Sequence, residues 1–89
     1  MIKPYKEKIQ ENISYRTFSE NILEHELVWH RDREDRIVEA LEETDWLLQM
    51  DNSLPKPITK LFIPKGVYHR VIKGTKELKL KIKKLTDGW

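Results

Sequence analysis

Alternating residues in the last third of the chain place the strongest constraint on its fold. Residues 78–83 have the sequence Leu-Lys-Leu-Lys-Ile-Lys, so every second side chain is apolar and every other one is cationic. Because successive side chains of a β-strand point to opposite faces of its sheet, this period predicts a strand with one buried face and one solvated face. If the strand lies at a sheet edge, its lysines would also discourage pairing with other chains.

Two further strands are predicted just before this one. Residues 68–72 favour an extended conformation, and the turn signal at residues 73–76 predicts a hairpin that covers residues 68–83. Residues 59–63 form a short apolar strand. It ends at the Pro-Lys-Gly turn of residues 64–66, where Pro fixes its own φ and Gly permits a positive one.

Residues 34–50 are ambiguous when considered locally. They contain neither Gly nor Pro and are rich in helix-forming residues, so propensity slightly favours a helix. The competing prediction is a pair of strands, residues 36–41 and 45–50, joined by a tight turn. The conformation of residues 1–12 is also undecided, because their scattered apolar positions fit either an arm or a short helix.

Length and cysteine content limit the classes of protein to consider. A chain of 89 residues indicates a single domain. A domain of this size buries only about 60% of its unfolded surface, so its core is thin. The sequence contains no Cys, which excludes a disulfide scaffold, a Cys-ligated zinc site and a thiolate nucleophile. Any metal site must therefore use nitrogen and oxygen ligands.

Charge is distributed unevenly along the chain. Residues 1–55 carry seven Lys or Arg and thirteen Asp or Glu, whereas residues 56–89 carry ten and two. A basic part could bind nucleic acid, but no aromatic residue interrupts the lysines of residues 76–84, so we favour two parts that interleave in one fold. We expect no membrane partner, because no apolar run could span a bilayer. Since there is no signal-peptide pattern, the expected compartment is the cytoplasm.

Two histidines and one aspartate form a candidate metal site. His30 and Asp32 are two residues apart, so on a strand both side chains project from one face. His69 follows a Pro-x-Gly turn at the start of a strand and is the natural third ligand, whereas His25 would point the opposite way on a continuous strand. Two imidazoles and one carboxylate form the facial triad of non-haem Fe(II) oxygenases, which leaves coordination positions open. The alternative is a polar pair satisfied by hydrogen bonds.

Two segments of the sequence resemble the conserved motifs of the cupins. Residues 63–71, Ile-Pro-Lys-Gly-Val-Tyr-His-Arg-Val, are similar to the second cupin motif, a Pro-x-Gly-x-x-His turn and strand. Residues 29–32, Trp-His-Arg-Asp, followed by residues 35–42, are similar to the first motif, His-x-His with a downstream Glu. The resemblance covers residues 23–84.

The resemblance implies an all-β fold, namely a small antiparallel β-barrel or double-sheet jelly roll of the RmlC-like type. It assigns residues 23–85 to the cupin barrel of a single domain. Residues 1–22 would then be an N-terminal arm or the first strands. Residues 34–50 would be strands, against their local preference.

The resemblance also implies a ligand set. His30 matches the first histidine of motif one, Asp32 stands at the second histidine position, and His69 matches the histidine of motif two. In cupins these positions hold a divalent metal, commonly Fe, Mn, Zn or Ni. The position of the motif-one Glu falls at Arg36 or Ile37, and neither residue is an acid, so the alternative carboxylates are those of Asp35 and Glu39. An Arg36 side chain inside the barrel would clamp a carboxylate or phosphate group beside the metal.

Trp46 and Gln49 complete the candidate ligand-binding residues. Trp46 packs in the core or, in the functional alternative, forms a stacking wall for a planar or sugar-like ligand. Gln49 orients a ligand only if its strand turns that face toward the cavity. Trp89 is predicted to be a packing or dimer contact.

Two functional hypotheses of different classes follow. The first is a metal-dependent cupin that binds or converts a small molecule, with dioxygenase-like or isomerase-like chemistry if it is an enzyme. The second is a non-catalytic module, which is either a metal-free binder of an anionic or sugar-like ligand or an interaction domain with a packed barrel. In either case the thin core favours a homodimer.

Overall fold

The computed structural model describes residues 3–85, and these residues form two antiparallel β-sheets. The strands are β1 (Lys6–Gln10), β2 (Ile13–Phe18), β3 (Asp35–Ala40), β4 (Leu47–Met50), β5 (Lys56–Pro57), β6 (Lys60–Ile63), β7 (His69–Ile72) and β8 (Leu78–Leu85). One sheet has the strand order β1-β2-β8-β3-β6, and the other has the order β5-β4-β7. The fold is all-β with two sheets, as the resemblance implies. Trp89 lies outside the described residues.

The alternating segment forms β8, the central strand of the larger sheet. Leu78, Leu80 and Ile82 are each at most 4% exposed, so the apolar set forms the buried face that the alternation predicts. β2 and β3 pair with β8 on its two sides, so the strand does not lie at an edge. Its lysines therefore solvate the outer face of the sheet instead of protecting an edge.

Ion pairs join the acidic and basic parts of the chain. Lys79 Nζ lies 3.2 Å from Glu42 Oε1, and Lys84 Nζ lies 4.0 Å from Glu34 Oε1. Both contacts follow from the insertion of the cationic strand β8 into a sheet made otherwise from earlier residues. This is the interleaving that we favoured from the sequence.

The predicted hairpin over residues 68–83 is wrong, because its two strands belong to different sheets. β7 pairs with β4 in the smaller sheet, whereas β8 lies in the larger one. The connecting segment crosses between the sheets and is fastened to the residues before β4. Thr75 donates to the Asp45 carboxylate from its backbone N (2.9 Å) and its hydroxyl (2.6 Å). The Trp46 indole N–H also donates to the Lys76 carbonyl oxygen.

Close approach explains why Gly stands in this crossing. A Cβ at Gly74 would collide with the Asp45 carboxylate and would lie 2.8 Å from the backbone N of Trp46. Local turn chemistry suggested a hairpin because Gly is common in turns. Here it serves the packing of two segments instead. We call this junction, made by Asp45, Trp46 and residues 74–76, the clasp.

Residues 35–40 and 47–50 form strands, so the implication of the resemblance is confirmed and the local helix preference is wrong. The two strands lie in different sheets, so they are not a pair joined by a tight turn. β3 pairs with β8 and β6, and Val38 at its centre is 3% exposed. Sheet pairing and burial outweigh a weak helical propensity in this context. Near the start of the described residues, the chain also forms a strand and not a helix, since β1 pairs with β2.

The core lies between the two sheets. Trp46 is fully buried, and its ring centroid lies 5.7 Å from that of Phe18, which in turn lies 5.0 Å from that of Tyr5. The register of the β4–β7 pair places Met50 opposite His69 and Leu47 opposite Ile72. His69 and the clasp therefore lie at opposite ends of this strand pair. The helical content within residues 3–85 is one three-residue turn, too short to cross a membrane.

Candidate metal centre

The backbone places His30 and His69 directly opposite each other. Each residue donates its backbone N–H to the carbonyl oxygen of the other, at 3.0 Å and 2.8 Å. The pair forms an isolated antiparallel bridge on the side of β7 opposite β4, so His69 has Met50 of β4 on one side and His30 on the other. The two imidazole centroids are 4.2 Å apart. Main-chain hydrogen bonds, and not flexible side chains, therefore set the spacing of the two rings.

Each imidazole also has a fixed orientation. The Nδ1 atom of His69 lies 2.9 Å from the Val67 carbonyl oxygen, and Nδ1 of His30 lies 3.2 Å from the Val28 carbonyl oxygen. Because a carbonyl oxygen only accepts, each Nδ1 must carry a hydrogen, and in the neutral ring Nε2 then presents a lone pair. Metal-ligating histidines are commonly held in this way through their second nitrogen.

Asp32 enters the cluster from the segment between the bridge and β3. Gly66 N donates to its backbone carbonyl oxygen at 2.9 Å, which joins this segment to the turn before β7. In the carboxylate, Oδ1 lies 3.3 Å from Nη1 of Arg36, and Oδ2 lies 3.2 Å from Nε2 of His69. Oδ2 is buried and has no hydrogen-bond donor among residues 3–85. It therefore faces the lone pair of a neutral His69.

The electrostatic surroundings lower the pKa of both His30 and Asp32. His30 is exposed as a residue, but partial desolvation of its imidazole lowers its pKa, and the nearby His69 adds to this effect. Burial works to raise the pKa of Asp32, but a protonated His69 that donates to Oδ2 and the positive charge of Arg36 outweigh it, so that pKa is lowered. A neutral imidazole and an ionised carboxylate are the forms that bind metal ions.

The three side chains together offer two nitrogen donors, one from each histidine, and one oxygen donor from Asp32. These donor atoms all lie within 4.8 Å of one another. Asp35 does not join them, because its Oδ1 accepts a hydrogen bond from the backbone N of Lys65. His25 lies on the short helical turn Glu24–Glu26 and is exposed. The orphan oxygen and the two oriented rings fit a divalent metal ion held by three protein ligands.

The cluster opens into a cavity of about 450 Å³ between the sheets. Its wall includes all three candidate ligands and the inward side chains of both sheets. Apolar residues of that wall are Pro4, Phe18, Leu27, Val28, Val38, Leu48, Ile63, Val71, Leu80 and Ile82, and the charged ones are Lys3, Arg16, Glu26, Asp32 and Arg36. Cavities of this size bind small molecules in many proteins. The space between the two sheets is therefore not packed solid.

Arg36 lies in the cavity wall, where it was placed by the sequence argument, but its guanidinium contacts carboxylates of the same chain. Its Nε and Nη2 donate to Oε1 of Glu34 at 3.0 Å and 2.7 Å, and its Nη1 faces Asp32. These contacts leave Arg36 positioned to orient the Asp32 carboxylate. Because Nε, Nη1 and Nη2 all face these carboxylates, the guanidinium has no free pair of N–H groups for a ligand anion.

Trp46 and Gln49 do not line the cavity described above, and ligand binding by these two residues stays a prediction. Trp46 is fully buried in the core, and its indole N–H donates to the Lys76 carbonyl oxygen within the clasp. Because Leu48 points inward, the adjacent Gln49 points outward, where its Oε1 accepts hydrogen bonds from Arg70 at 3.1 Å and 2.9 Å.

Arg16 is the residue that sequence reasoning missed. It lies on β2, lines the cavity and donates from Nε to Oε2 of Glu7 at 2.8 Å, and its guanidinium covers the Tyr5 ring at 4.4 Å. The available signal was the period of two in β2, which puts Arg16 on the same face as Phe18. The other face carries Ile13 and a second aromatic residue, so the pattern did not reveal which face is buried.

The comparisons with known proteins bear on the fold. No protein-family model matches the sequence, and no curated protein matches it. A cupin domain from Bordetella pertussis Tohama I superimposes with a TM-score of 0.62 at 20% identity, over 97% of this chain and 99% of that one. The chain has a cupin fold. At this identity the likeness concerns the fold alone.

Two metal-related or enzymatic neighbours share the same cupin fold. A structure from work on the DMSP lyases RdDddP and RnDddQII has a TM-score of 0.71 at 11% identity, over 85% of this chain. The Fe(II) form of HppE in complex with its substrate has a TM-score of 0.62 at 16% identity, over 96% of this chain. This chain spans only 38% of the first of those chains and 55% of the second.

Proposed function

We propose that this cupin binds a divalent metal ion through His30, Asp32 and His69 and uses the remaining coordination positions to bind or convert a small molecule. One observation carries the proposal: the buried Oδ2 of Asp32 has no donor in the described chain and lies 3.2 Å from Nε2 of His69. Two lone pairs at that distance repel each other unless a proton or a cation lies between them.

The donor set supports Fe(II) as the first candidate metal. Two imidazoles and one carboxylate with open positions are the ligand type of non-haem Fe(II) sites, although Mn(II), Zn(II) and Ni(II) accept the same donors. The structural neighbour HppE has been solved with Fe(II) and with Co(II). A bound metal would supply Lewis acidity and a fixed point of attachment for the ligand. The chain itself supplies ring orientation through two backbone carbonyls and carboxylate orientation through Arg36.

Metal titration tests this proposal. Metal-free protein is titrated with each of the four ions by calorimetry, under argon for Fe(II), and bound metal is counted by mass spectrometry. We expect one ion per chain. His69→Ala should weaken binding by at least about 100-fold, beyond the 10–100-fold loss typical of residues that only support a ligand. The matched control is His25→Ala, which should bind as wild type does. Sub-stoichiometric metal in the wild-type protein would contradict the proposal.

The metal-free binding module remains as a second candidate for one reason. If His69 is protonated, its Nε2–H can donate to Asp32, and the cluster is then a hydrogen-bonded network beside the same cavity. The titration separates the two cases, since a protonated network takes up no metal at neutral pH. A solidly packed interaction domain is a weaker alternative, because the space between the sheets holds a cavity.

We also propose that the protein forms a homodimer through its sheet edges. Ile9 on the edge strand β1 is 61% exposed, and Phe62 on the edge strand β6 is 50% exposed. Such apolar edge residues are covered when sheets pair between subunits. Sedimentation velocity that shows only monomer up to high protein concentration would contradict the dimer. The cytoplasmic location expected from the sequence stays a prediction.

A further inference from the structure

The two arginines of the cavity wall differ in how their donors are used. Arg36 places Nε, Nη1 and Nη2 against Glu34 and Asp32. Within residues 3–85, Arg16 makes its one hydrogen bond through Nε, to Glu7. Its two Nη groups, which form the outer edge of the guanidinium fork, have no protein acceptor there.

Arg16 is nevertheless held firmly. Its side chain is 12% exposed. Glu7, which anchors it, accepts further hydrogen bonds from the Ser14 hydroxyl and from Lys3. These donors outweigh the burial of the carboxyl and lower the pKa of Glu7 to about 2. The Tyr5 ring packs on the flat face of the guanidinium. Because the Nη groups of Arg16 are not among the buried polar atoms of residues 3–85 that lack a partner, they remain accessible and a ligand acceptor can reach them.

Arg16 and the candidate metal ligands share one cavity. His30, Asp32 and His69 line it together with Arg16. A single small molecule in the cavity can therefore contact both regions of the wall.

The rest of the wall indicates the character of such a molecule. Most of the lining is apolar, which disfavours a sugar with hydroxyl groups along its whole length. The charged lining consists of three cations and two carboxylates, and a divalent ion would add two further positive charges. The cavity thus favours a molecule with a negative charge and an apolar middle section.

Resting on the metal site proposed above, we infer that Arg16 is the anion-binding residue of this cavity and that the ligand is a small organic anion. One polar end of the ligand would occupy the open metal positions, a short apolar segment would cross the cavity, and a carboxylate or similar oxyanion would accept from both Nη groups of Arg16. The guanidinium fork matches the two oxygens of such a group.

Paired acids of equal chain length test this inference. Protein loaded with Co(II), with the metal content of each sample measured first, is titrated by calorimetry with malonate, succinate and glutarate. The same titrations use propionate, butyrate and valerate, which lack the second carboxylate. In the wild-type protein we expect the best dicarboxylate to bind at least about 10-fold more tightly than its monocarboxylate partner. A ratio near one for all three pairs would overturn the inference.

Arg16→Gln should abolish this preference while the metal content stays at the wild-type level. The matched control is Arg33→Gln, which removes an exposed arginine outside the cavity wall and should keep the preference. If Arg16→Gln does not fold, Arg16→Lys keeps the charge but not the fork, and it should reduce the ratio several-fold. An unchanged ratio in the folded variant would overturn the role of Arg16. Failure of the wild-type protein to load metal would instead contradict the proposed function, and that result appears before any acid is added.

Discussion

An aspartate lies at each end of the β4–β7 strand pair, but only one of the two aspartates has a hydrogen-bond donor for each of its carboxylate oxygens. At the clasp, both oxygens of Asp45 accept from Thr75. At the metal-site end, Oδ2 of Asp32 is buried without a donor in the described chain. The satisfied aspartate is the exposed one, and the unsatisfied aspartate is the one withdrawn from water.

This difference separates a structural junction from a candidate functional one. A polar atom withdrawn from water without a partner costs free energy, so folding alone would favour the arrangement at the clasp. The cost at Asp32 is explained if a cation completes the site. Variants at the two ends should therefore have separable effects, on stability at the clasp and on metal affinity at the cluster.

The largest effect is expected for Trp46→Ala at the clasp. Removing this fully buried ring should lower the free energy of unfolding by about 3–5 kcal/mol, because it deletes buried area and leaves a void. Urea denaturation followed by circular dichroism measures the loss. The control is Trp29→Ala, since Trp29 is 41% exposed and should cost about 1 kcal/mol or less. Equal losses in the two variants would contradict the assignment of Trp46 to the core.

Asp32→Asn should weaken metal binding by at least about 100-fold, because the amide supplies no charge to the site. The metal-free variant should keep its unfolding free energy within about 1 kcal/mol of wild type, since Asn can donate from Nδ2 toward Nε2 of His69. Calorimetric metal titration and urea denaturation measure the two quantities. A metal-free variant that is much less stable would mean that Asp32 is a structural residue, as Asp45 is.

Gly74→Ala should destabilise the protein by about 1–3 kcal/mol, because the backbone N of Trp46 stands 2.8 Å from the new Cβ and must shift. Metal affinity should not change, as the clasp is at the far end of the strand pair. Lys76→Ala is the control, because it removes an exposed side chain from the same segment and keeps its backbone acceptor. A Gly74→Ala protein with altered metal affinity would show that the two ends are coupled.

The smallest effect is expected for Asp45→Asn, and it should depend on pH. The Thr75 hydroxyl and backbone N–H donate to Asp45 and lower its pKa below the usual value of 3.8. A carboxyl with a lowered pKa stabilises the fold above 3.8, and this contribution is lost as the pH falls through the folded-state pKa. Asp45→Asn should therefore shift the urea midpoint down slightly at neutral pH, with a smaller difference in strong acid. A difference that is constant with pH would contradict this origin.

Those parts of the fold that depend on local periodicity could be predicted. The alternation of residues 78–83 predicted a half-buried strand, and His30, Asp32 and His69 do come together, although metal binding itself stays a prediction. Spacing alone could not decide whether Asp32 is a metal ligand or the partner of His30 in a hydrogen-bonded polar pair. The resemblance to the cupin motifs supplied the long-range information that joins residues 39 positions apart in the chain.

Other parts depend on contacts that no short window contains. Gly74 looks like a hairpin residue until Asp45 and Trp46 are placed against it. The side chain of Arg36 was expected to bind a ligand because it stands at the motif position of an acid. Its guanidinium donates to the Glu34 carboxylate instead. Arg16 was missed because both faces of β2 carry apolar residues, so only the packed structure shows which face is inside.

The position of β8 has a consequence for synthesis on the ribosome. Residues 78–85 are made after every other strand of the larger sheet, yet they lie between β2 and β3. Until they emerge from the exit tunnel, the β1–β2 hairpin and the β3–β6 pair have no shared neighbour and expose their pairing edges. The sheet therefore cannot be completed before residues 78–85 emerge, and nascent chains are open to chaperone binding during that interval.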